Sequence, residues 1–223
     1  MSAEAEGAGG QEPLSRERVL RRALALADAD GIEALSMRKL ARELGAGAMS
    51  LYHHVRDKEA LLDGIVDLVF AEIALPEAQA EWQAAVRAWA LSARAVLARH
   101  PWAIGLMESR TASGPATLQH REAMMAVLRR AGFPIRRAIH ANWLLDSYLY
   151  GFALQEASLP FAGAEDFAGM TEAVFLPQLS ATEYPCLTEA ATALLQEGYD
   201  PAAEFAYGLD LILDALERDR RST

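Results

Sequence analysis

The sequence predicts an all-α protein. Alanine and leucine dominate an apolar set that makes up 52% of the chain, and both residues favour helices. Runs alternating Val, Ile and Thr with polar residues, the mark of half-buried strands, are absent. Apolar residues recur instead at three- and four-residue spacing, in stretches punctuated by serine, aspartate, glycine and proline.

The first stripe is Val19, Leu20, Ala23, Leu24 and Ala27, with arginines 16, 18, 21 and 22 in its first two turns and Gly31 as its stop. Ser36 is placed to cap a short second helix that buries Met37, Leu40, Ala41 and Leu44 and ends at Gly45. A third short segment covers 48–55. Asp57 can cap a fourth helix from Lys58, whose apolar residues run from Leu61 to Ile73 and which Pro76 closes.

Longer helices follow. Trp82, Val86, Trp89, Ala93 and Leu97 mark a helix over about 80–99, halted at His100-Pro101. A short segment at 102–107 leads into a loop at 109–115. A helix over 116–131 then ends at Gly132, and Pro134 opens another that reaches about Ala157. Residues 158–169 read as a loop. Pieces near 170–180 and 186–197 are weaker helix candidates, because Pro177 and Pro185 interrupt them. Asp200 and Pro201 start a final helix with the stripe Phe205, Leu209, Ile212, Leu213 and Leu216. No internal repeat is visible.

Composition narrows the function classes. The longest apolar stretch, 61–75, is broken by Asp63, Asp67 and Glu72, so no membrane-spanning segment is expected. Residues 1–13 are small, acidic and Gly-rich, and read as a flexible leader, not a secretion signal. The lone Cys186 rules out an internal disulfide and a cysteine-built metal site. A cytoplasmic protein is the expectation.

The net charge of −10 argues at first against a nucleic-acid partner. Its distribution weakens that objection. Residues 14–60 carry nine Lys/Arg against seven Asp/Glu, whereas 61–223 carry twelve against twenty-one. A mildly basic head on an acidic body permits DNA binding without establishing it.

Residues 36–55 have the layout of a helix-turn-helix. Ala41 can face a partner helix and Gly45 can form the turn, while Leu40, Leu44 and Leu51 pin both helices to the first stripe. The outer face of the second helix then presents Ala48, Met49, Ser50, Tyr52 and His53. Small residues there let the backbone approach base edges, and Ser50, Tyr52 and His53 can donate hydrogen bonds to bases or phosphates. The same pattern also describes a helical hairpin inside a core, and Tyr52 equally suits a core aromatic with its hydroxyl at the rim. Lys58 at a helix N-terminus opposes the helix dipole, which favours an anion nearby.

Other readings stay open on the residues alone. An all-helical enzyme would use His100, His120, Asp146 and Glu156 as acid–base groups, but no common catalytic spacing joins them. No nucleophile motif or Gly-rich phosphate loop accompanies them. A helical interaction module that does not touch DNA is the third. His100 and His120 lack the carboxylates or close spacing of a metal site, and no metal or cofactor is expected.

The run Tyr52-His53-His54-Val55-Arg56-Asp57-Lys58-Glu59-Ala60-Leu61-Leu62, with 36–45 before it, closely resembles tetracycline-repressor family members. The resemblance covers about 15–65. It continues more faintly through Trp82-Gln83, His100, Gly132-Phe133 and Gly151 with Gln155-Glu156. It implies a repressor rather than an enzyme: a flexible leader at 1–13, a three-helix DNA-binding domain at 14–60, and a helical ligand-binding and dimerisation domain at 61–223. Arg38, Ser50, Tyr52, His54 and Lys58 match family positions that touch operator DNA, mainly its phosphates, with base contacts around 48–50.

The resemblance further implies a homodimer through helices near 134–157 and 201–218. A small-molecule effector would release a palindromic operator. Family members that take magnesium–tetracycline hold the metal with a histidine, and Met107 stands at that position. Met124 and Trp89 replace polar drug contacts. A more apolar or aromatic effector is therefore implied, with Trp89, Trp102, Met107, Met124, Trp143 and Phe175 as pocket candidates and Asn142 and Asp146 as polar anchors. Trp and Met at helical spacing equally suit plain core.

Overall fold

The computed structural model describes residues 13–107, 109–110, 112–161 and 164–222. Most of the expected leader lies outside them. The described residues form helices joined by short turns, with no strand among them. By compactness the chain divides in two. One unit runs to Glu72 and adds Gly105–Leu118; the other comprises Ile73–Ile104 and the chain from Gln119.

The first unit is built from α1 (Arg16–Asp30), α2 (Met37–Glu43), α3 (Ala48–Tyr52) and α4 (Lys58–Glu72). Ser15 caps α1 by accepting from the Arg18 N–H at 3.2 Å, and Ser36 caps α2 by accepting from the Lys39 N–H at 3.2 Å. Asp57 Oδ1 accepts from the Ala60 N–H at 2.7 Å at the start of α4. That bond, with the neighbouring Arg56, holds the Asp57 carboxyl below its ordinary pKa. Gly45 takes φ +63 in the turn after α2, a left-handed conformation that glycine adopts without steric cost.

The expected stripe of α1 is buried, save that Leu26 goes inward and Leu24 is half-exposed. Met37 is likewise only half-buried. α1 packs on α4 and α2, and α2 on α3. The α1–α4 approach is close: a Cβ on Gly64 would lie 2.5 Å from Leu20 Cδ2. α4 ends at Glu72, a turn before Pro76, and α3 stops at Tyr52.

The second unit centres on α5 (Trp82–Arg99), α8 (Ile135–Ser158) and α11 (Pro201–Arg221), which pack on one another. Between α5 and α8 come α6 (Ile104–Met107) and α7 (Pro115–Arg130), each of which begins in one unit and ends in the other. Trp82 meets Phe133 edge-on, with ring centroids 5.1 Å apart. Tyr148 stacks on Phe205 and donates its hydroxyl to the Phe205 carbonyl at 2.9 Å. Asp200 caps α11, accepting from the Ala202 N–H at 2.8 Å, with Pro201 at the first position as expected.

The loop expected over 158–169 is only partly a loop. Residues Ala164–Met170 form α9, followed by a π-helical turn at Thr171–Phe175. Two turns are too short to show a periodic stripe. Tertiary packing holds them, through Phe167, which is buried against Phe161 and Tyr199 at 5.1 and 5.0 Å. α10 (Pro185–Glu197) completes the set.

Candidate nucleic-acid interface and ligand cavities

The helix-turn-helix is assembled from the inside out. Leu40, Leu51 and Leu61 are fully buried, and Ala41, Leu44 and Val55 nearly so. Burying a leucine side chain contributes about 1.5–3 kcal/mol, so these residues hold the short α3 in place where its own five residues could not. Inward-facing Leu51 leaves the rest of α3 outward. Ala48, Met49, Ser50, Tyr52 and His53 are all exposed, Met49 at 76% and Tyr52 at 44%. An exposed methionine and tyrosine on one short helix form a contact surface with no occupant among the described residues.

Charge surrounds this face selectively. Arg38 and Lys58 are exposed and make no ion pair with another described residue; His54 is half-buried. Lys39 instead pairs with Asp30 at 2.8 Å, and Arg22 pairs with Glu43. Arg42, which the sequence reading passed over, is also exposed and makes no ion pair with another described residue. Its position on α2, one helical turn from Arg38, was the signal available.

A second arrangement in this unit was not visible in the sequence. Arg110 donates to Asp63 Oδ1 at 2.6 Å, Glu59 Oε2 at 2.7 Å and the Glu59 carbonyl at 3.0 Å, and its guanidinium is mostly buried. The bond to Asp63 is the main reason its pKa is raised. Asp67, also on α4, caps the first turn of α7 by accepting from the Ala116 and Thr117 N–H groups and the Thr117 hydroxyl. The segment at 105–118 is thereby tied to three successive turns of α4.

The expected effector residues belong to the second unit, except Met107, which falls in the first. Trp89, Met107 and Met124 are buried, and the Trp89 indole N–H has no acceptor among the described residues. Trp102 is half-buried beside His100, with rings 6.3 Å apart. Asn142 donates to Asp146 Oδ2 at 2.7 Å, both half-buried. Trp143 is 64% exposed and Phe175 41%. Two cavities of about 340 Å³ each lie elsewhere, flanking the last turns of α8, with Glu156 and Leu159 on both walls. Arg94 pairs with Glu156 there, and its guanidinium lies 5.8 Å from the Phe152 ring.

An apolar surface also stands uncovered. Ile135, Ile139, Trp143, Leu144 and Leu154 are exposed on α8, and Tyr207 and Leu211 on α11. The 135, 139, 143 and 207, 211 spacings each place residues on one face. Among the described residues no helix is long and apolar enough to cross a membrane, and no cluster of three or more His, Cys, Asp or Glu residues could hold a metal ion.

Comparison with known proteins agrees with this layout. Residues 19–65 match the family described as "Bacterial regulatory proteins, tetR family", and residues 75–220 match "Tetracyclin repressor-like, C-terminal domain". The HTH-type transcriptional repressor DrrR1 of Streptomyces coeruleorubidus is 33% identical over 94% of this chain and 79% of its own length. The class A tetracycline repressor protein from transposon 1721 of Escherichia coli is 32% identical, over 93% of this chain and 92% of its own. The crystal structure of the Streptomyces coelicolor TetR family protein ActR in complex with actinorhodin matches with a TM-score of 0.77 at 30% identity, covering 94% of this chain and 99% of that one.

Proposed function

The chain belongs to the tetracycline-repressor family, and we propose that its dimer holds a palindromic operator until an apolar or aromatic small molecule binds the C-terminal domain. It is a DNA-binding transcription repressor regulated by a small molecule. The observation that carries the DNA-reading surface is α3, with Leu51 fully buried and Met49, Ser50, Tyr52 and His53 exposed. In this reading residues 14–60 read DNA and 61–223 sense ligand and dimerise. Ala48, Met49, Ser50 and His53 approach base edges, while Arg38, Tyr52, His54 and Lys58 hold phosphates.

The exposed apolar faces of α8 and α11 support a homodimer through these helices. Two recognition helices then meet half-sites about 34–36 Å apart, one turn of DNA. An effector that favours a conformation with a different spacing releases the DNA. Moving the balance from 1:99 to 99:1 requires about 10⁴-fold preference for the released state. The solved complexes of ActR with (S)-DNPA and with actinorhodin support a small-molecule effector. The buried Trp89 N–H, which has no acceptor among the described residues, supports a contact to a ligand acceptor. Trp102, Met107, Met124, Asn142, Trp143, Asp146 and Phe175 complete the candidate set for the effector. Localisation in the cytoplasm, where the DNA is, follows from the same reading.

Selection of bound duplexes from a random pool tests the proposal. A two-fold symmetric motif with half-sites one turn apart is expected. Recovery of unrelated sequences would contradict it.

A further inference from the structure

Among the described residues, Glu156 is the one charged side chain on the walls of the two cavities at the end of α8. Arg94 donates to its Oε1, and no described residue donates to Oε2. The Glu156 side chain is 20% exposed, so the carboxylate is only partly in contact with water. Arg94 is ion-paired to Glu156 and lies against the rings of Phe152 and Phe205, and its buried Nε has no acceptor among the described residues.

The other described wall residues are mostly aliphatic or aromatic, and Pro201 brings the first turn of α11 to one of the two cavities. The cavities sit at the C-terminal end of the 24-residue α8, where the helix dipole places partial negative charge. Phe161 lines one cavity, and Phe152 and Tyr199 line the other. Burial first, and then the carboxylates of Glu156 and Glu204, push the Tyr199 hydroxyl above its ordinary pKa, against the opposing pull of Arg94. An anion here would face a carboxylate and a helix C-terminus. A neutral ligand without an O–H or N–H group would leave Oε2 without a donor in a partly dry site. A cation satisfies the carboxylate and the aromatic faces together.

We propose that the cavity walled by Phe152, Glu156 and Tyr199 binds an aromatic or otherwise apolar molecule carrying a protonated amine, with its ammonium on Glu156 Oε2 and its body against Phe152 or Tyr199. The inference rests on the reading that the C-terminal domain takes a small molecule, and gives that domain a second site, apart from the Trp89 candidate set, for a ligand that carries a cation. None of the pocket residues expected from the sequence lies on these walls.

Isothermal titration of the full chain, without DNA, tests it with three probes of one shape: 2-(1-naphthyl)ethylamine, 2-(1-naphthyl)ethanol and 1-naphthylacetate. The amine is expected to bind about tenfold or more tighter than the alcohol, and the acid weakest. Glu156→Gln, which keeps the shape and removes the charge, should abolish the amine's advantage over the alcohol. If that variant does not fold, Tyr199→Leu serves, and should weaken the amine more than the alcohol. An acid that binds as well as the amine, no measurable amine binding, or a preference that survives Glu156→Gln would overturn the proposal. DNA is absent from the assay, so a failed probe titration and a failed operator experiment are separate results.

Discussion

Asp67 Oδ1 accepts two hydrogen bonds from Thr117, from its backbone N–H at 2.8 Å and from its hydroxyl at 2.9 Å. A carboxylate of α4 is therefore the N-terminal cap of α7, a helix separated from it by nearly fifty residues of chain. Gly114 makes room for this, since a Cβ there would lie 2.2 Å from Asp67 Cγ.

Asp67→Ala should destabilise the protein by about 1–2 kcal/mol, the usual cost of a lost cap, and speed amide exchange at Thr117. Gly114→Ala should cost about 1–3 kcal/mol by displacing the same carboxylate. In the double variant the two costs should not add, because both remove one interaction. Full additivity in thermal or denaturant melts would show that the contact is idle.

Leu51 anchors the exposed face of α3. Leu51→Ala should cost about 2–5 kcal/mol of stability, while Met49→Ala should cost little and act on DNA affinity. Denaturant melts and DNA titrations of both variants separate the roles. Equal stability losses would mean that Met49 is part of the core.

How much was legible in the sequence follows from where the determinants lie. Ser36, Asp57 and the pair Asp200-Pro201 act within four residues of themselves, so caps and helix starts were readable. The inward Leu40 and Leu51 and the exposed Tyr52 follow from helical periodicity. The Arg110 clamp on Glu59 and Asp63 and the Asp67 cap join residues about fifty apart, and no local pattern announces them. The same holds for the Arg94–Glu156 pair, and for α9, which Phe167 secures by tertiary packing. Trp143 shows the limit from the other side. Its spacing suits a pocket or a core, and it is 64% exposed.

That exposure leads to a test of assembly. Trp143→Glu or Leu211→Glu should shift the protein from dimer to monomer in sedimentation velocity, because each charge would be placed in an apolar interface. Leu187→Glu, on the exposed face of α10, should leave the dimer intact. A dimer unaffected by the first two substitutions would place the interface elsewhere.

Glu217 carries a pH dependence. It accepts from Arg220 and Arg221 and from the Trp82 indole N–H, and its pKa is lowered from 4.5 to about 2, chiefly by the bond to Arg220. A depressed folded-state pKa stabilises the fold above the unfolded-state value and loses that contribution as the pH falls through the folded-state value. Wild-type stability should therefore decline from about pH 4.5 towards pH 2 more steeply than that of Glu217→Gln. Parallel melting curves across this window would count against the cluster.

Fluorescence anisotropy with the selected duplex over a range of salt tests whether α2 and α3 read operator DNA. Wild-type affinity should fall steeply as salt rises. Arg38→Ala or Lys58→Ala should each reduce the slope of log affinity against log salt by about one. Tyr52→Ala should weaken binding without loss of folding. A flat salt response, or full affinity in all three variants, would contradict the account.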